Sequence, residues 1–275
     1  MPRFTVLDDT RRHPDLAEQI AAILYKVAPL VEEKTCLSVP SEVRFRLLTP
    51  KAWRKAEGEY RQHILARDIA DPELSLSPEQ IAPIRLGLKI TKFMPVLVWP
   101  LVLGSTVVAA DGRSETLLVP RALRHCGLLA HEPSLHQVVS HELTHHAQDA
   151  ACGDNAAWKT FFPQLRKVAP GSISPFVEGH ASWTDQQVTT LLYGAPVNHT
   201  RQARRSLRAR LHKRIPGIRR LGPSAAAYQQ GARFVDHTVT TQGVELINRV
   251  WKDTALLPSM SELAEPDTWI ARTGV

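Results

Sequence analysis

Apolar side chains recur at helical spacing across residues 14–33, where Leu16, Ile20, Ile23, Leu24, Val27, Leu30 and Val31 share one stripe. A period near 3.6 with polar residues between predicts an amphipathic helix. Over residues 43–48 apolar and basic positions alternate instead, the pattern of a half-buried strand. Helical spacing returns over residues 50–68, with Trp53, Tyr60 and Ile64 as inner contacts. Residues 71–83 are polar and contain proline, and are expected to form a loop. The uncharged run 94–110 spans 17 residues and holds Pro95, Pro100 and Gly104. A spanning helix needs about 20 apolar residues, so no integral membrane segment is expected. The β-branched content and the prolines predict two short strands meeting at a turn. Residues 105–110, Asp111-Gly112 and residues 115–119 then predict a hairpin, because Asp-Gly favours the turn that strand twist demands.

Beyond residue 130 the pattern is helical almost throughout. His131-Glu132-Pro133-Ser134 opens a helix, with Pro133 tolerated in its first turn. A short amphipathic segment covers 158–168. Helices are predicted over 175–193, ending near Gly194, and over 200–215, stopped by Pro216. Residues 225–249 read as one long or broken helix. The tail from Trp251 to Trp269 has the prolines and leucines of a structural strap. No internal repeat is present. The predicted fold is α+β and predominantly helical: helices and a small sheet in residues 1–130, then a helical half in 131–275. The two form one unit around a cleft.

Composition narrows the setting. With 275 residues and 43% hydrophobic content the chain can bury a real core. Its net charge of +7 is uneven: residues 199–222 carry nine Lys or Arg and no acid, leaving the remainder mildly acidic. Within that segment Leu207, Leu211, Ile215 and Ile218 keep helical spacing, so one face is expected to pack while the arginines line the other. The arginines form a solvated face or meet an anionic partner: acidic peptide, nucleic acid or phospholipid surface. The lack of aromatics there speaks against single-stranded nucleic acid. Cys36, Cys126 and Cys152 are widely spaced and include no Cys-x-x-Cys pair, which excludes a disulfide framework and a cysteine-based zinc site. No secretory pattern follows Met1, and a reducing cytoplasm is the expected location.

The chemistry concentrates in His141-Glu142-Leu143-Thr144-His145. On a helix, His141 and His145 lie one turn apart on one face, where both imidazoles can reach one metal ion, with Glu142 beside them. A catalytic zinc takes three protein ligands and keeps one position open. Glu178, 33 residues after His145, is the candidate third ligand, and Gly179 beside it allows close helix packing. His180 is the rival. His146 points about 100° away from His145. The elongated motif with a third histidine is absent, since Gln148 and Ala151 hold those places. Asp154 sits in a turn-like Gly-Asp-Asn sequence. Glu142 has the position of a general base. Tyr228 is the first candidate to stabilise an oxyanion, with His237 and His180 behind it; a half-buried packing role suits Tyr228 equally. Cys152 reads as a packing thiol. The plain alternative for the whole motif is a buried helix whose histidines only make hydrogen bonds.

Several stretches resemble a known family, the actinobacterial zincin-like metalloproteases sometimes labelled as associated with deazaflavin-coenzyme biosynthesis. They are the His141–His145 core, Glu178-Gly179-His180-Ala181, Ala227-Tyr228-Gln229-Gln230-Gly231-Ala232-Arg233-Phe234-Val235, Asn248-Arg249-Val250-Trp251, and a tail containing Leu256-Leu257-Pro258-Ser259-Met260 and Pro266-Asp267-Thr268-Trp269. The resemblance covers residues 130–273, while 1–120 match weakly. It implies a glutamate-type zincin, with His141, His145 and Glu178 on zinc and Glu142 as base. One departure stands out. Many such proteins carry an acid three or four residues after the ligand glutamate, where this chain has Ala181 and Ser182; Asp185 or Asp149 would have to orient a histidine instead. The expected function is a zinc metallopeptidase, specialised for one peptide or protein substrate. The alternatives are a zinc amidohydrolase acting on a small metabolite, and a zinc-bearing scaffold without turnover. The intact Glu142 argues against a scaffold.

Overall fold

A four-stranded sheet anchors the N-terminal half, in the order β1 (Arg3–Asp8), β2 (Glu42–Leu47), β4 (Ser114–Leu118), β3 (Gly104–Val108). The computed structural model describes residues 2–91, 99–109, 111–168, 171–212 and 225–274. Strands β1, β2 and β4 run parallel, and β3 pairs antiparallel with β4, placing β3 at one edge. The parallel β1–β2 pair needs a crossover, which α1 (Pro14–Thr35) supplies. Helix α2 (Pro50–Ala70) starts on Thr49, whose side chain accepts from the Ala52 amide at 3.2 Å. The predicted hairpin is β3–β4, and Gly112 takes φ +79° in its turn, a conformation glycine adopts without a Cβ clash.

The helical half follows: α4 (Pro120–His125), the motif helix α5 (Glu132–Cys152), α6 (Ile173–Tyr193), α7 (His199–Arg205), α8 (Leu207–His212), α9 (Ala225–Gln242), α10 (Val244–Lys252), α11 (Met260–Ala264) and α12 (Pro266–Thr273). The fold is thus α+β and predominantly helical, as expected. Ile20, Leu24, Val27 and Val31 of α1 meet Phe45 and Leu47 of β2, Leu118 of β4, and Leu135, Val139 and Leu143 of α5 in one buried cluster. Each fully buried side chain of this size contributes about 1.5–3 kcal/mol over its exposed state. The face of α5 that carries Leu135, Val139 and Leu143 is therefore fixed against α1.

A second cluster is aromatic. Phe176 of α6, Phe234 of α9, Trp251 of α10 and Trp269 of α12 are fully buried together. The Trp269 indole donates to the Leu256 carbonyl at 2.6 Å, so the tail straps the helical half. Two glycines let α6 and α9 cross in backbone contact. A Cβ on Gly179 would lie 2.4 Å from the Gly231 carbonyl carbon, and one on Gly231 only 1.9 Å from the Pro175 oxygen.

Several elements differ from expectation. Strand β1 was not foreseen; Phe4 is its one buried side chain, and the alternation of Phe4 and Val6 with Arg3 and Thr5 is short and ends at Leu7, which is exposed. The loop expected over 71–83 ends early, because helix α3 (Pro78–Thr91) begins inside it. Ser77 and Gln80 cap each other reciprocally: Gln80 N donates to Ser77 Oγ at 3.3 Å and Ser77 N to Gln80 Oε1 at 2.8 Å. In the run 94–110, residues 94–98 and 110 lie outside the described residues, and Trp99–Leu101 is a 3₁₀ turn followed by β3. The segment 158–168 holds 3₁₀ turns at Ala156–Trp158 and Pro163–Arg166 rather than an α-helix. Of the helix expected over 200–215, the described residues to 212 form two short ones, parted at Ser206, whose hydroxyl donates to the His125 carbonyl at 2.6 Å. Their packed positions are Ala203 and Ala209, while Leu207 and Leu211 are 68% and 63% exposed, so the leucine stripe does not form the inner face. Ile215 and Ile218 lie outside the described residues. The helical run 225–249 divides at Gly243 into α9 and α10. Among the described residues no helix is long and apolar enough to cross a membrane.

Candidate metal centre

Helix α5 starts on His131, whose Nδ1 accepts from the Ser134 amide at 3.2 Å, with Pro133 in the first turn. Its motif residues leave on two faces. His141 and His145 face α6, and Glu142 and His146 face the β3–β4 hairpin. On the α6 side, His141 Nε2 lies 3.2 Å from Glu178 Oε2, and His145 Nε2 lies 3.8 Å from Glu178 Oε1. One donor atom from each of the three lies within 4.8 Å of the others. Zinc ligands at about 2 Å in a tetrahedron stand roughly 3.3 Å apart, so these spacings suit one ion.

The outer ring nitrogens are engaged as well. His141 Nδ1 donates to Asp185 Oδ2 at 3.0 Å; Asp185 Oδ1 accepts from Gln137 Nε2 at 3.0 Å. His145 Nδ1 donates to Gln148 Oε1 at 2.8 Å. The Gln148 amide nitrogen is held at 3.0 Å from both the Val177 carbonyl and His180 Nδ1, which fixes which end of the amide faces His145. With a proton on each Nδ1, both Nε2 lone pairs point at the shared space, the tautomer a metal ligand needs. Of the two acids proposed to orient a histidine, Asp185 makes the contact. Asp149 instead binds Lys159 at 2.7 Å and the Ser114 hydroxyl.

Electrostatics follow from this packing. Burial raises the Glu178 carboxyl, but the charge of His145 and the bond from His141 outweigh it and bring the group down to about 2. Burial disfavours the His141 cation, yet Asp185 and Glu178 hold its pKa well above the ordinary histidine value. Burial, then Glu178 and Glu142, push the Tyr228 phenol up, so it stays a neutral donor; it bonds Glu178 and Ser174. Burial lowers His180 to about 3 and raises the Cys152 thiol to about 12.

On the sheet side, Glu142 Oε2 accepts from Thr106 Oγ1 at 2.7 Å. Its carboxylate lies against Gly104, where a Cβ would sit 2.4 Å from Oε1. A cleft of about 600 Å³ joins His141, Glu142, His145, Glu178 and Tyr228 to β3 and to Trp53 and Tyr60 of α2.

The expected residues thus divide. His141, Glu142, His145, Glu178 and Tyr228 come together. His180 lies behind Gln148 against the Trp251 ring and is not among the clustered donor atoms. His237 does not line the cleft: nine residues after Tyr228 on α9, it is about half a turn away, and its Nε2 bonds Asp267 at 2.8 Å on an exposed face. Asp154 is exposed beyond the end of α5. Gln148, Thr106, Gly104 and Ser174 were missed. Gln148 had a readable signal, since it stands three residues after His145 and so on its face. The others depend on which loop and strand meet the helix.

Comparison with known proteins gives a likeness over part of the chain first. Residues 172–270 match the family model described as zincin-like metallopeptidase. The matched stretch holds Glu178, Tyr228 and the aromatic strap, and begins after the His-Glu-x-x-His helix. Among curated proteins none matches the chain. One solved structure to which the chain is similar is a crystal structure of a candidate hydrolase with a novel fold from Chloroflexus aurantiacus. Identity is 19%, the TM-score 0.53, and coverage 95% of this chain and 91% of that one. At that identity the likeness speaks to the fold alone.

Proposed function

We propose that this protein is a zinc-dependent metallopeptidase of the glutamate-zincin type, related to the actinobacterial zincin-like proteases. The observation that carries the reading is the convergence of His141, His145 and Glu178 within 4.8 Å, with Glu142 one residue along the same helix. His141 Nε2, His145 Nε2 and the Glu178 carboxylate would hold the metal. Zinc, when bound, supplies a Lewis acid that activates water and polarises a carbonyl.

The chain's own groups do the rest. Glu142 Oε2 is occupied by the Thr106 hydroxyl, so Oε1 is the atom that takes a proton from water and returns it to the leaving nitrogen. Tyr228 is a neutral phenol beside Glu178, suited to donate to an oxyanion. Strand β3 borders the cleft through Gly104, Ser105 and Thr106, and its outer edge carries no strand among the described residues. An extended peptide can add to such an edge by main-chain hydrogen bonds, which favours a peptide over a small metabolite. In this reading the halves 1–130 and 131–275 meet at the cleft, one giving the edge strand and the other the metal cradle. The free thiols of Cys36, Cys126 and Cys152 fit a reducing cytoplasm.

The test is purified protein carrying one equivalent of zinc, assayed on a mixed peptide library by mass spectrometry. Glu142→Gln should keep the metal and lose cleavage, whereas His141→Ala and Glu178→Ala should lose metal. Full zinc retention by Glu178→Ala moves the third ligand to His180. Cleavage surviving in Glu142→Gln removes the base.

A further inference from the structure

The histidine that follows the motif has no place in the chemistry above, yet it is fully buried and spatially tied to Glu142. His146 stands four residues after Glu142 and shares its face of α5. Its Nε2 lies 2.9 Å from Thr116 Oγ1 of β4. Thr116 Oγ1 lies 2.8 Å from Thr106 Oγ1 of β3. Thr106 Oγ1 reaches Glu142 Oε2 at 2.7 Å. The two threonines are direct partners in the antiparallel register, so the hairpin itself sets their spacing. His146 is pinned from its other side by the Phe45 ring, stacked at 5.7 Å.

The direction of this chain is forced. An ionised carboxylate only accepts, so Thr106 must spend its single hydroxyl proton on Glu142. Thr106 can then only accept from Thr116, and Thr116 only from His146. His146 must therefore be the Nε2–H tautomer. Its Nδ1 is buried without a partner. In this tautomer that atom is a bare lone pair; the other tautomer would bury an unpaired N–H, the costlier fault.

We infer that Thr106, Thr116 and His146 form a one-way hydrogen-bond relay that positions Glu142 as the base, holding Oε2 and leaving Oε1 for water. The inference rests on the hydrolase reading only for what Glu142 does; the relay's polarity stands on geometry. Thr116 and His146 are positioning residues, since neither lines the cleft.

Two-bond ¹H–¹⁵N spectra of the zinc-loaded, histidine-labelled protein test the polarity without any substrate. His146 should appear as the Nε2–H tautomer, and its Nε2–H signal should move in Thr116→Val and, across two further bonds, in Thr106→Val. On the peptide library, Thr116→Val should lower kcat on the order of tenfold, as one buried hydrogen bond predicts. KM should stay within about twofold and zinc content should be unchanged, since Thr116 lines neither the cleft nor the metal cradle. Thr116→Ser should restore kcat. Should Thr116→Val not fold, Thr106→Val at the half-buried edge position carries the tautomer, zinc and kcat readouts, though not the KM one because Thr106 lines the cleft. A His146 Nδ1–H tautomer, or His146 signals indifferent to Thr106→Val, overturns the relay. A wild-type kcat in Thr116→Val, or a loss that serine does not restore, overturns its positioning role. Glu142→Gln run alongside separates the two readings. If that variant still cleaves, the base has gone and the relay has nothing to position; if it is dead while Thr116→Val is normal, only the relay falls.

Discussion

Gly104→Ala tests the placement of Glu142 with one methyl group. The new Cβ would lie 2.4 Å from Glu142 Oε1, 2.6 Å from Cδ and 2.8 Å from Cγ. Ordinary contact between such atoms begins near 3.4 Å, so the carboxylate must retreat by about 1 Å. The obstacle is the end of a side chain rather than backbone, so the fold can yield. An off-rotamer glutamate costs about 0.5–1.5 kcal/mol and the lost Thr106 bond about 1 kcal/mol. Against this, alanine restricts the unfolded chain and returns about 0.4–1 kcal/mol. The net destabilisation is of order 1 kcal/mol, roughly 2–4 °C in Tm for a chain of this size. Catalysis is less forgiving: a 1 Å displacement of a reacting group costs about 100-fold. The expected outcome is a zinc-replete, folded protein with kcat on the peptide library down by about two orders of magnitude. Differential scanning calorimetry, metal content and turnover are measured on the same sample. Wild-type turnover in a folded Gly104→Ala would sink the assignment of Glu142 to the proton transfer.

Other perturbations separate the parts of the site. Gly231→Ala places a Cβ 1.9 Å from the Pro175 carbonyl, where backbone meets backbone; a loss of about 3 kcal/mol, at the upper end for overpacking, should appear as a Tm drop of several degrees, and an unchanged melt would mean the helices cross more loosely. Asp185→Ala frees His141 Nδ1 and should weaken zinc about 10- to 100-fold in chelator competition; unchanged affinity would remove Asp185 from the site. The metal-free protein gives a signed pH dependence. Because Asp185 and Glu178 raise His141 above its ordinary value, that ion pair stabilises the apo fold fully below the ordinary histidine pKa and is lost as pH rises through the raised one. Zinc must displace the same proton, so its apparent affinity should climb about tenfold per pH unit across that window; a flat titration would mean His141 is already neutral.

How much was readable depended on the range of the interaction. The spacing of His141 and His145 follows from helix pitch alone, and a Glu-Gly pair on a later helix marked Glu178. Asp185 was one of two acids named to orient a histidine, and only the packing of α6 on α5 separates it from Asp149. Thr106 and Thr116 carried no signal. Each is an ordinary strand residue until the hairpin register pairs them and the sheet meets Glu142. His237 failed for a reason present in the sequence: nine residues from Tyr228 on one helix, the two cannot share a face. Leu207 and Leu211 kept helical spacing, but the buried positions of those two short helices are Ala203 and Ala209.

The motif helix carries two pairs of residues four apart, offset by one position: His141 with His145, and Glu142 with His146. An offset of one residue turns the pairs about 100° from each other. They consequently depend on different neighbours. The first pair is shaped by α6, which is itself seated on α9 at the Gly179–Gly231 crossing; the second is shaped by the β3–β4 hairpin through Thr106 and Thr116. Metal affinity and base placement should therefore respond independently, with α6–α9 substitutions changing zinc binding at little cost to Glu142 and hairpin substitutions doing the reverse. The buried face with Leu135, Val139 and Leu143 locks both pairs to one rigid body. A helix that slid by one residue along α1 would carry every group out of register at once, which is why the catalytic geometry belongs to the core as much as to the cleft.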